Sequence, residues 1–327
     1  KKAILIIGGG VAGMEAAIAA AAPGVEVHLV EKTGTLGGIA RQLNATWQGE
    51  PVKAYVDSLA ELTRANNGIH LYMDSQVTKT TGSMGNFITS ITTGKDKEES
   101  VIEHGAAVLA TGGLEYKPHE YLYGEQPEVL THLDMDAAMR DGEERIETAK
   151  KVIFIQCVGS RNEENPYCSK ICCTHSLKSA LALKKKDPHK RVYIVYRDIR
   201  SYGFREDLYQ EARAAGVIFI RYDLEKMPVL VKNSNNELEF TVTDHVLQME
   251  VSITPDLVVL ASGISPSPNS GLFEKFKVPV NAEGFLVEAH AKLRPVDFAS
   301  DGLFVAGLAH YPKPLEESMA QARAAVA

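Results

Sequence analysis

The sequence has 327 residues, of which 45% are hydrophobic, so it is long enough for about two domains with packed cores. Thirty-five Lys and Arg residues against 42 Asp and Glu residues give a net charge of −7. This acidic balance disfavours nucleic acid or an anionic membrane as the main partner. No apolar stretch approaches the roughly 18 residues of a membrane span, and the first strand begins too near Lys1 for a signal peptide.

These observations predict a cytoplasmic protein, in which clustered cysteines are more often metal-binding or catalytic than disulfide-bonded. The sequence does not begin with Met and ends in "QARAAVA", inside a predicted helix. We therefore expect it to be a piece of a longer polypeptide.

The first 22 residues, "KKAILIIGGGVAGMEAAIAAAA", read as a β-branched strand, a glycine turn and an Ala-rich helix. In this order a GxGxxG pattern predicts a dinucleotide-binding turn, whose helix N-terminus presents free N–H groups to a pyrophosphate. A second strand, "VEVHLVEK", brings an acidic residue to the position that accepts ribose hydroxyls. The predicted contacts are Gly8, Gly10, Val11, Ala12, Gly13, Glu31 and the adjacent Lys32.

Three later segments add to this site: "KTGTLGGIARQL" with Gly37 and Gly38, "AAVLATGG" with Ala110, Thr111 and Gly112, and "DGLFVAGLAHYPKP". Their order resembles the two-dinucleotide-binding-domain flavoproteins typified by thioredoxin reductase. The resemblance implies FAD in the first domain, with adenine bound by the backbone of Val77 and the ribityl chain contacted at Gly307 and the next residue. That residue is Leu308 in place of the family's usual Asp, so the ribityl contact would come from backbone. A helix from Pro314 onwards is expected to aim its N-terminus at the flavin.

Strand and helix patterns alternate again from residue 149, and "LASG" near residue 262 repeats the earlier "LATG". The sequence therefore predicts an α/β fold of two Rossmann-like, doubly wound domains, with the second inserted into the first. The predicted boundaries are 1–148 for the first part of the FAD domain, including a linker at 114–148, 149–264 for the insert, and 265–327 for the second part.

All four cysteines, Cys157, Cys168, Cys172 and Cys173, lie in "CVGSRNEENPYCSKICC". This segment follows the first strand of the insert, where a nicotinamide-binding relative would carry a second glycine-rich turn. The spacing suits a four-thiolate iron–sulfur cluster better than a zinc site built from C-x2–4-C pairs. Cys168 and Cys172 are expected to share one face of a helical turn. A redox dithiol and purely structural cysteines remain open alternatives, and His175 is read as a packed residue rather than a ligand.

With "YRDIRSYGFREDLYQEAR", the cysteine segment resembles the flavin-binding A subunits of heterodisulfide reductases, an electron-bifurcating family of methanogens and anaerobic bacteria. The resemblance covers nearly the whole chain and implies a [4Fe–4S] cluster on the four cysteines, near FAD. The further cysteine-rich segments of complete family members do not occur in this sequence. Arg197, Arg200 and Arg205 are read either as residues that offset the charge of reduced cofactors or as an exposed basic loop.

The predicted function is that of an FAD-dependent electron-transfer oxidoreductase, with bifurcation as an implication of the resemblance. The expected partners are other heterodisulfide-reductase-like subunits and an electron carrier such as ferredoxin or a component of a hydrogenase or dehydrogenase. A homodimer is one expected assembly. Two alternatives stay open: an NAD(P)H-dependent disulfide reductase and a non-catalytic FAD-binding scaffold.

Overall fold

The computed structural model describes residues 1–327, and the chain divides into two compact units. Unit 1 comprises residues 1–41, 52–114 and 265–327, and unit 2 comprises residues 42–51 and 115–264. The chain passes between them at β8 (Gly113–Glu115) and β17 (Ile264–Pro266), which pair as a two-stranded sheet. No helix combines the length and the apolar character needed to cross a bilayer.

Unit 1 is built on a five-stranded parallel sheet in the order β18-β7-β1-β2-β3 and a three-stranded antiparallel sheet, β4-β5-β6. Its strands are β1 (Ala3–Ile7), β2 (Glu26–Val30), β3 (Ile69–Tyr72), β4 (Ser75–Thr81), β5 (Phe87–Thr93), β6 (Glu98–His104), β7 (Ala106–Leu109) and β18 (Leu303–Val305). Its helices are α1 (Val11–Ala21), α2 (Val52–Ala65), α7 (Ser270–Phe276) and α8 (Leu315–Ala324). β1 is buried along its whole length, as expected of a strand at the centre of a covered parallel sheet.

Unit 2 has a five-stranded parallel sheet in the order β12-β11-β10-β16-β9 and an antiparallel sheet, β13-β14-β15. Its strands are β9 (Val129–Thr131), β10 (Lys151–Val158), β11 (Arg191–Tyr196), β12 (Ile218–Arg221), β13 (Val229–Lys232), β14 (Leu238–Asp244), β15 (Met249–Ile253) and β16 (Leu257–Ser262). Its helices are α3 (His132–Asp141), α4 (Glu144–Thr148), α5 (Cys172–Lys186) and α6 (Glu206–Ala214).

The two units repeat one topology. In each, the first strand of the nucleotide-type fold (β1 or β10) lies at the centre, the next two strands extend to one side, and an antiparallel three-stranded sheet precedes the return strand (β7 or β16). The predicted α/β class with two Rossmann-like domains is confirmed by this arrangement. It also places the residues after β1 and after β10 at equivalent edges, the carboxyl ends of parallel strands where such folds bind ligands.

The second unit starts earlier than the sequence predicts. Residues 115–148 group with unit 2, because β9 pairs in parallel with β16 and the apolar side of α3 joins the core around β10. Residues 42–51 also group with unit 2, where Trp47 packs against that core. The start at residue 115 therefore replaces the predicted start at 149, whereas the end at residue 264 coincides with the predicted one.

A buried histidine makes the stability of unit 1 depend on pH. His104 is fully buried between Thr89 Oγ1, at 2.8 Å, and the Ala106 carbonyl, at 2.9 Å, and burial lowers its pKa to about 4. Between this value and about 6.5 the unfolded chain binds more protons than the folded one, so stability is lost as pH falls. We expect His104 to account for about 2 kcal/mol of the loss between pH 7.5 and 5.0.

Urea unfolding of the wild type and of His104→Gln at the two pH values measures this contribution. The variant should lose less stability on acidification, whereas the exposed His119→Gln should behave as the wild type does. Equal pH dependence in all three proteins would contradict the assignment.

Candidate functional site

The turn after β1 has the backbone that a dinucleotide-binding turn requires. Gly8 has a φ of +110°, and a Cβ there would overlap the Ala110 carbonyl. A Cβ on Gly13 would overlap the Gly8 carbonyl, so α1 can approach β1 only with glycine at this position. Gly10, by contrast, has an ordinary extended backbone, and an added Cβ would meet no protein atom within 4 Å. The protein leaves open the space in front of Gly10 and the N-terminus of α1.

Glu31 closes this turn on one side. The buried carboxylate accepts bonds from the Gly9 N–H at 2.6 Å and from the Thr33 N–H and hydroxyl at 2.8 Å each. A carboxylate offers about four acceptor sites, so one remains for a ribose hydroxyl. The neighbouring Lys32 is exposed.

The other predicted residues of this site lie around the same turn. Gly37 forms a backbone bridge with Gly10, and an added Cβ on Gly38 would lie 3.3 Å from the Gly10 Cα. Gly307 has a φ of +72°, and its added Cβ would lie 2.8 Å from the Ala12 Cβ. Glycines from two distant parts of the sequence, 37–38 and 307, therefore lie at the N-terminus of α1.

The end of β7 contributes an unpaired polar atom. Thr111 Oγ1 is buried and has no hydrogen-bond partner, and Gly112, with a φ of +75°, would place a Cβ in open space. A buried hydroxyl without a partner is costly unless a ligand supplies one. The residues present therefore fit a bound dinucleotide.

Two details refine the predicted FAD contacts. The backbone of Gly307 is engaged on both sides, by Gln321 Oε1 at 3.0 Å from its N–H and by Lys313 Nζ at 2.7 Å from its carbonyl. Val77 lies in β4 beside a register shift in its pairing with β5, so its backbone is less regularly bonded than that of the rest of the strand. The individual contacts, including Leu308, stay predictions.

The cysteines lie at the equivalent edge of unit 2. Cys157 is the penultimate residue of β10, Cys168 is in the following loop, and Cys172 and Cys173 are the first two residues of α5. The expectation that Cys168 and Cys172 share a helical face is wrong, because the helix begins only at Cys172. Cys168 instead lies in a loop that is closed by hydrogen bonds such as the one that the Arg161 N–H donates to the Tyr167 carbonyl, at 3.0 Å.

The four sulfur atoms influence one another. Burial, followed by the charges of Cys157, Cys173 and Cys168, raises the pKa of Cys172 well above its usual value. Burial likewise raises the pKa of Cys173 to about 12. As free thiols these two would be protonated and poorly nucleophilic at neutral pH, which disfavours a redox dithiol. A cationic centre that shares the four sulfurs would remove both the repulsion and the desolvation cost of the thiolates.

All four sulfurs have a polar neighbour close by; for Cys173 these are the Arg200 backbone N–H and the Asp198 carbonyl, which lies 4.0 Å from Sγ. The Lys170 N–H lies 3.4 Å from Cys168 Sγ, Arg161 Nη1 lies 3.7 Å from Cys157 Sγ, and the Ser262 carbonyl lies 3.4 Å from Cys172 Sγ. The N-terminus of α5 adds its positive dipole end at Cys172 and Cys173. N–H donors and a helix N-terminus both favour thiolates over thiols.

The geometry does not form a site for a single metal ion. No group of three or more His, Cys, Asp or Glu side chains is close enough to hold one ion. A four-iron cluster distributes its thiolates over different iron atoms and therefore over a larger body. The cluster itself stays a prediction.

Buried polar atoms without partners also flank the cysteines. Gln156 Oε1 precedes Cys157, Thr174 Oγ1 follows Cys173, and Arg197 Nε lies in the loop after β11; none of these atoms has a hydrogen-bond partner. Such atoms are few in native structures and usually indicate a missing ligand, ion or water. Two of the three atoms belong to residues adjacent in the sequence to Cys157 and Cys173.

A buried ion-pair network fixes the first turn of α5. His175 Nε2 lies 2.9 Å from Asp136 Oδ1, Lys178 Nζ lies 3.4 Å from Asp136 Oδ2, and the Asn44 N–H donates to the same oxygen at 2.9 Å. Burial alone would raise the pKa of Asp136, but the charges and hydrogen bonds of His175 and Lys178 hold it below its usual range. His175 is therefore turned away from the cysteines, in agreement with its reading as a packed residue.

We expect Asp136→Asn to destabilise the protein by about 3–5 kcal/mol, because it leaves the Lys178 ammonium buried without its counter-charge. The exposed Asp141, paired with Arg140 at the surface, is the matched control, and Asp141→Asn should change stability by less than about 1 kcal/mol. Urea unfolding at pH 7.5 compares the two variants. A loss below about 1 kcal/mol for Asp136→Asn would show that the network adds little to stability.

Sequence reasoning missed the residues that hold the cysteine loop. Arg161 and Asp198 contact the sulfurs or one another, and Tyr116 packs its ring where a side chain on Gly159 would lie. Of the three arginines singled out in the sequence, Arg197 and Arg200 belong to this arrangement. Only the position of Arg161, inside the cysteine segment itself, could have indicated its role.

Comparison with known proteins places this chain in a family. A family model described as pyridine nucleotide-disulphide oxidoreductase matches residues 2–159, and the match ends where the cysteine loop begins. Thioredoxin reductases of T. acidophilum and Lactococcus lactis superpose with TM-scores of 0.65 and 0.66 at 16% identity, covering 99% and 100% of this chain and 95% and 97% of theirs. At that identity they show the fold alone.

Curated relatives carry a more specific name. The A subunit of the H(2):CoB-CoM heterodisulfide,ferredoxin reductase of Methanothermobacter thermautotrophicus is 35% identical over 254 residues, 71% of this chain and 38% of the relative. The iron-sulfur A subunit of the CoB–CoM heterodisulfide reductase of Methanocaldococcus jannaschii is 30% identical over 416 residues, 99% of this chain and 63% of the relative. The chain thus spans between 38% and 63% of the length of these two relatives.

The alignment with the second relative is longer than the 327 residues of this chain, so that relative carries additional residues inside the matched region. The comparisons confirm both the expected family and the expected class of FAD-containing oxidoreductase. This chain belongs to the family of heterodisulfide reductase A subunits and has the two-domain fold of the thioredoxin-reductase-type flavoproteins.

Proposed function

We propose that this chain is the flavin core of a heterodisulfide-reductase-type electron-transfer protein, with FAD in unit 1 and a [4Fe–4S] cluster in unit 2. The observation that carries the proposal is the replacement of the second glycine-rich turn, after β10, by a loop with all four cysteines. The same replacement removes the usual phosphate-binding turn for a nicotinamide nucleotide. Electrons would then enter and leave through protein partners rather than by hydride transfer from a nucleotide bound there.

Support for FAD comes from the turn after β1. Gly10 and the N-terminus of α1 leave space for a pyrophosphate, Glu31 keeps an acceptor for ribose, and Thr111 Oγ1 lacks a partner. Bound FAD supplies two-electron and one-electron chemistry, and the protein supplies its orientation and electrostatics.

Support for the cluster comes from the donor set. Four cysteine sulfurs lie near one another with N–H donors beside two of them and a helix N-terminus at the other two. Cys157, Cys168, Cys172 and Cys173 would be the ligands. A bound cluster supplies one-electron transfer, at a potential set by nearby charges, hydrogen bonds and solvent exposure.

The names of the relatives extend the proposal to partners. They are subunits of reductases that act on the CoB–CoM heterodisulfide, and some names include ferredoxin, hydrogen or formate. We include in the proposal a cytoplasmic complex with further heterodisulfide-reductase-like subunits and a ferredoxin-type carrier, and electron bifurcation at the flavin. The net charge of −7 is compatible with protein partners.

An NAD(P)H-dependent disulfide reductase is the second candidate, favoured by the matched family model and by the thioredoxin reductase fold. It requires a reactive thiol pair, whereas burial raises the pKa of both Cys172 and Cys173. It also requires a nucleotide site after β10, where the glycine pattern does not occur.

The experiment is purification without oxygen, followed by visible absorption, FAD analysis and assays of iron and acid-labile sulfide. We expect about one FAD and about four iron atoms per chain, as one cubane requires, with reduction by dithionite and no rapid reduction by NADH or NADPH. Flavin without iron would disprove the cluster, and rapid reduction by NADPH would establish the second candidate. Protein without flavin would disprove the FAD site.

A further inference from the structure

We propose that Arg161, held in place by Asp198, is a positioning residue that holds Cys157 and raises the reduction potential of the group bound by the cysteines. This inference rests on the proposed cluster in unit 2. Four structural observations lead to it: a bulge in β10, the contacts of the Arg161 side chain, the bridging position of Asp198, and the anchoring of the loop by Arg197.

The backbone at Cys157 is unusual. The pairing of β10 with β16 shifts register between Ile155 and Val158, and Cys157 adopts a φ of +64°, which non-glycine residues rarely do. Cys157 therefore lies at a bulge near the end of β10 and is partly exposed, whereas the preceding Gln156 is fully buried. A left-handed backbone conformation costs free energy in any residue other than glycine. It occurs where packing and hydrogen bonds of the surrounding structure impose it, often at functional sites.

The Arg161 side chain contacts Cys157 and stabilises its position at this bulge. Its Nη1 lies 3.7 Å from Cys157 Sγ. The guanidinium also forms a bidentate ion pair with Asp198, in which Nη1 contacts Oδ1 and Nη2 lies 3.3 Å from Oδ2. The Arg161 side chain is 18% exposed, so its charge is only partly screened by solvent. Its backbone also has a left-handed φ of +59°, which non-glycine residues rarely adopt.

Asp198 connects this arginine to a second sulfur. Its carbonyl lies 4.0 Å from Cys173 Sγ, while its carboxylate receives Arg161 and, at 3.1 Å, Arg200 Nε. Arg161, Asp198 and their contacts therefore link Cys157 on β10 with Cys173 on α5. A change at Arg161 is expected to loosen both sulfurs.

The loop after β11 also grips the backbone of the cysteine loop. Arg197 donates to the Arg161 carbonyl at 2.8 Å and to the Ser160 carbonyl at 3.2 Å. Together Arg161, Arg197 and Arg200 bring three positive charges against the single negative charge of Asp198. These four side chains together therefore carry a net positive charge.

A positive charge and an N–H donor beside a cluster stabilise its reduced form, which carries one more negative charge. The Arg161 side chain does both at Cys157, whereas the Arg200 side chain bonds to Asp198 and only the Arg200 backbone, which a substitution keeps, bonds to a sulfur, that of Cys173. Removing Arg161 should therefore lower the reduction potential, and removing Arg200 should lower it less. A lysine in place of Arg161 keeps the charge but not the planar fork that reaches Asp198 and Cys157 together.

The test is a redox titration, monitored by electron paramagnetic resonance, of anaerobically purified wild type, Arg161→Gln, Arg161→Lys and Arg200→Gln. At the midpoint of the wild type, Arg161→Gln should show an oxidised-to-reduced ratio about tenfold higher, which is a shift of about −59 mV for a one-electron couple. Arg161→Lys should lie between, and Arg200→Gln should shift by less than half as much. Asp198 keeps Arg200 as a partner in Arg161→Gln, so the variant is expected to fold.

The outcomes separate the inference from the function on which it rests. Wild type without iron would defeat the cluster itself. Full iron content and an unchanged potential in both Arg161 variants would overturn the role of Arg161 and leave the cluster standing. Loss of iron from Arg161→Gln, with flavin retained and with iron retained in Arg200→Gln, would support positioning, and Arg161→Lys would then report the potential.

Discussion

Cys157→Ala is expected to remove most of the iron and acid-labile sulfide from anaerobically purified protein while FAD stays bound. The cluster would lose one of four thiolates, and no other thiol exists in the chain to replace it. The Arg161 guanidinium, whose Nη1 lies 3.7 Å from Cys157 Sγ, is not an iron ligand and cannot replace the lost thiolate. FAD should remain because its predicted contacts all lie in unit 1, whereas Cys157 belongs to unit 2.

Iron, sulfide and flavin assays on the same preparation measure this result, with circular dichroism to confirm the fold. Ser201→Ala is the matched control, since Ser201 lies in the loop after β11 and its hydroxyl bonds to Glu206. It should retain iron at the wild-type level. Cys157→Ala with a full complement of iron would remove Cys157 from the ligand set.

Gly10→Ala is expected to weaken FAD binding at least about tenfold, or about 1.4 kcal/mol, while the protein still folds. A Cβ at Gly10 meets no protein atom within 4 Å and the backbone there is extended, so the added methyl fills only the space expected to hold the pyrophosphate. As the residue preceding α1, alanine should cost the helix no more than about 1 kcal/mol relative to glycine. Gly13→Ala would not separate these effects, because its Cβ overlaps the Gly8 carbonyl.

Fluorescence titration of flavin-free protein with FAD measures the affinity, and thermal unfolding of the same samples measures the fold. Gly271→Ala, in the exposed first turn of α7, is the control and should bind FAD as the wild type does. If Gly10→Ala binds FAD with unchanged affinity, the dinucleotide does not lie against this turn.

Much of the architecture follows from local sequence patterns. The buried β-branched run of β1, the glycines that only a tight turn needs, and the Ala-rich α1 are contiguous, so periodicity and backbone preference predict them without tertiary information. The same reasoning located the repeat of this pattern from β10 onwards and the substitution of cysteines for glycines after it. The order of elements in unit 2, including the return at β16, agrees with the sequence pattern.

Local patterns could not locate the start of unit 2. Residues 115–148 belong to it because β9 adds to the sheet beside β16, a pairing between strands that lie far apart in the sequence. A short strand such as β9 has no periodicity that reveals its partner. Residues 42–51 likewise join unit 2 through long-range contacts: the Asn44 N–H donates to Asp136, and the Ala45 carbonyl accepts from Lys178.

For the candidate sites, the sequence determined which residue types are present and at which strand ends they lie: glycines and Glu31 after β1 and β2, and four cysteines after β10. Only the tertiary structure decided how the cysteines are presented. The bulge at Cys157, the loop that returns Cys168, and the contacts of Arg161 and Asp198 all depend on left-handed backbone and on long-range pairs. The surroundings impose these features against local preference, so no periodicity within the segment could have predicted them.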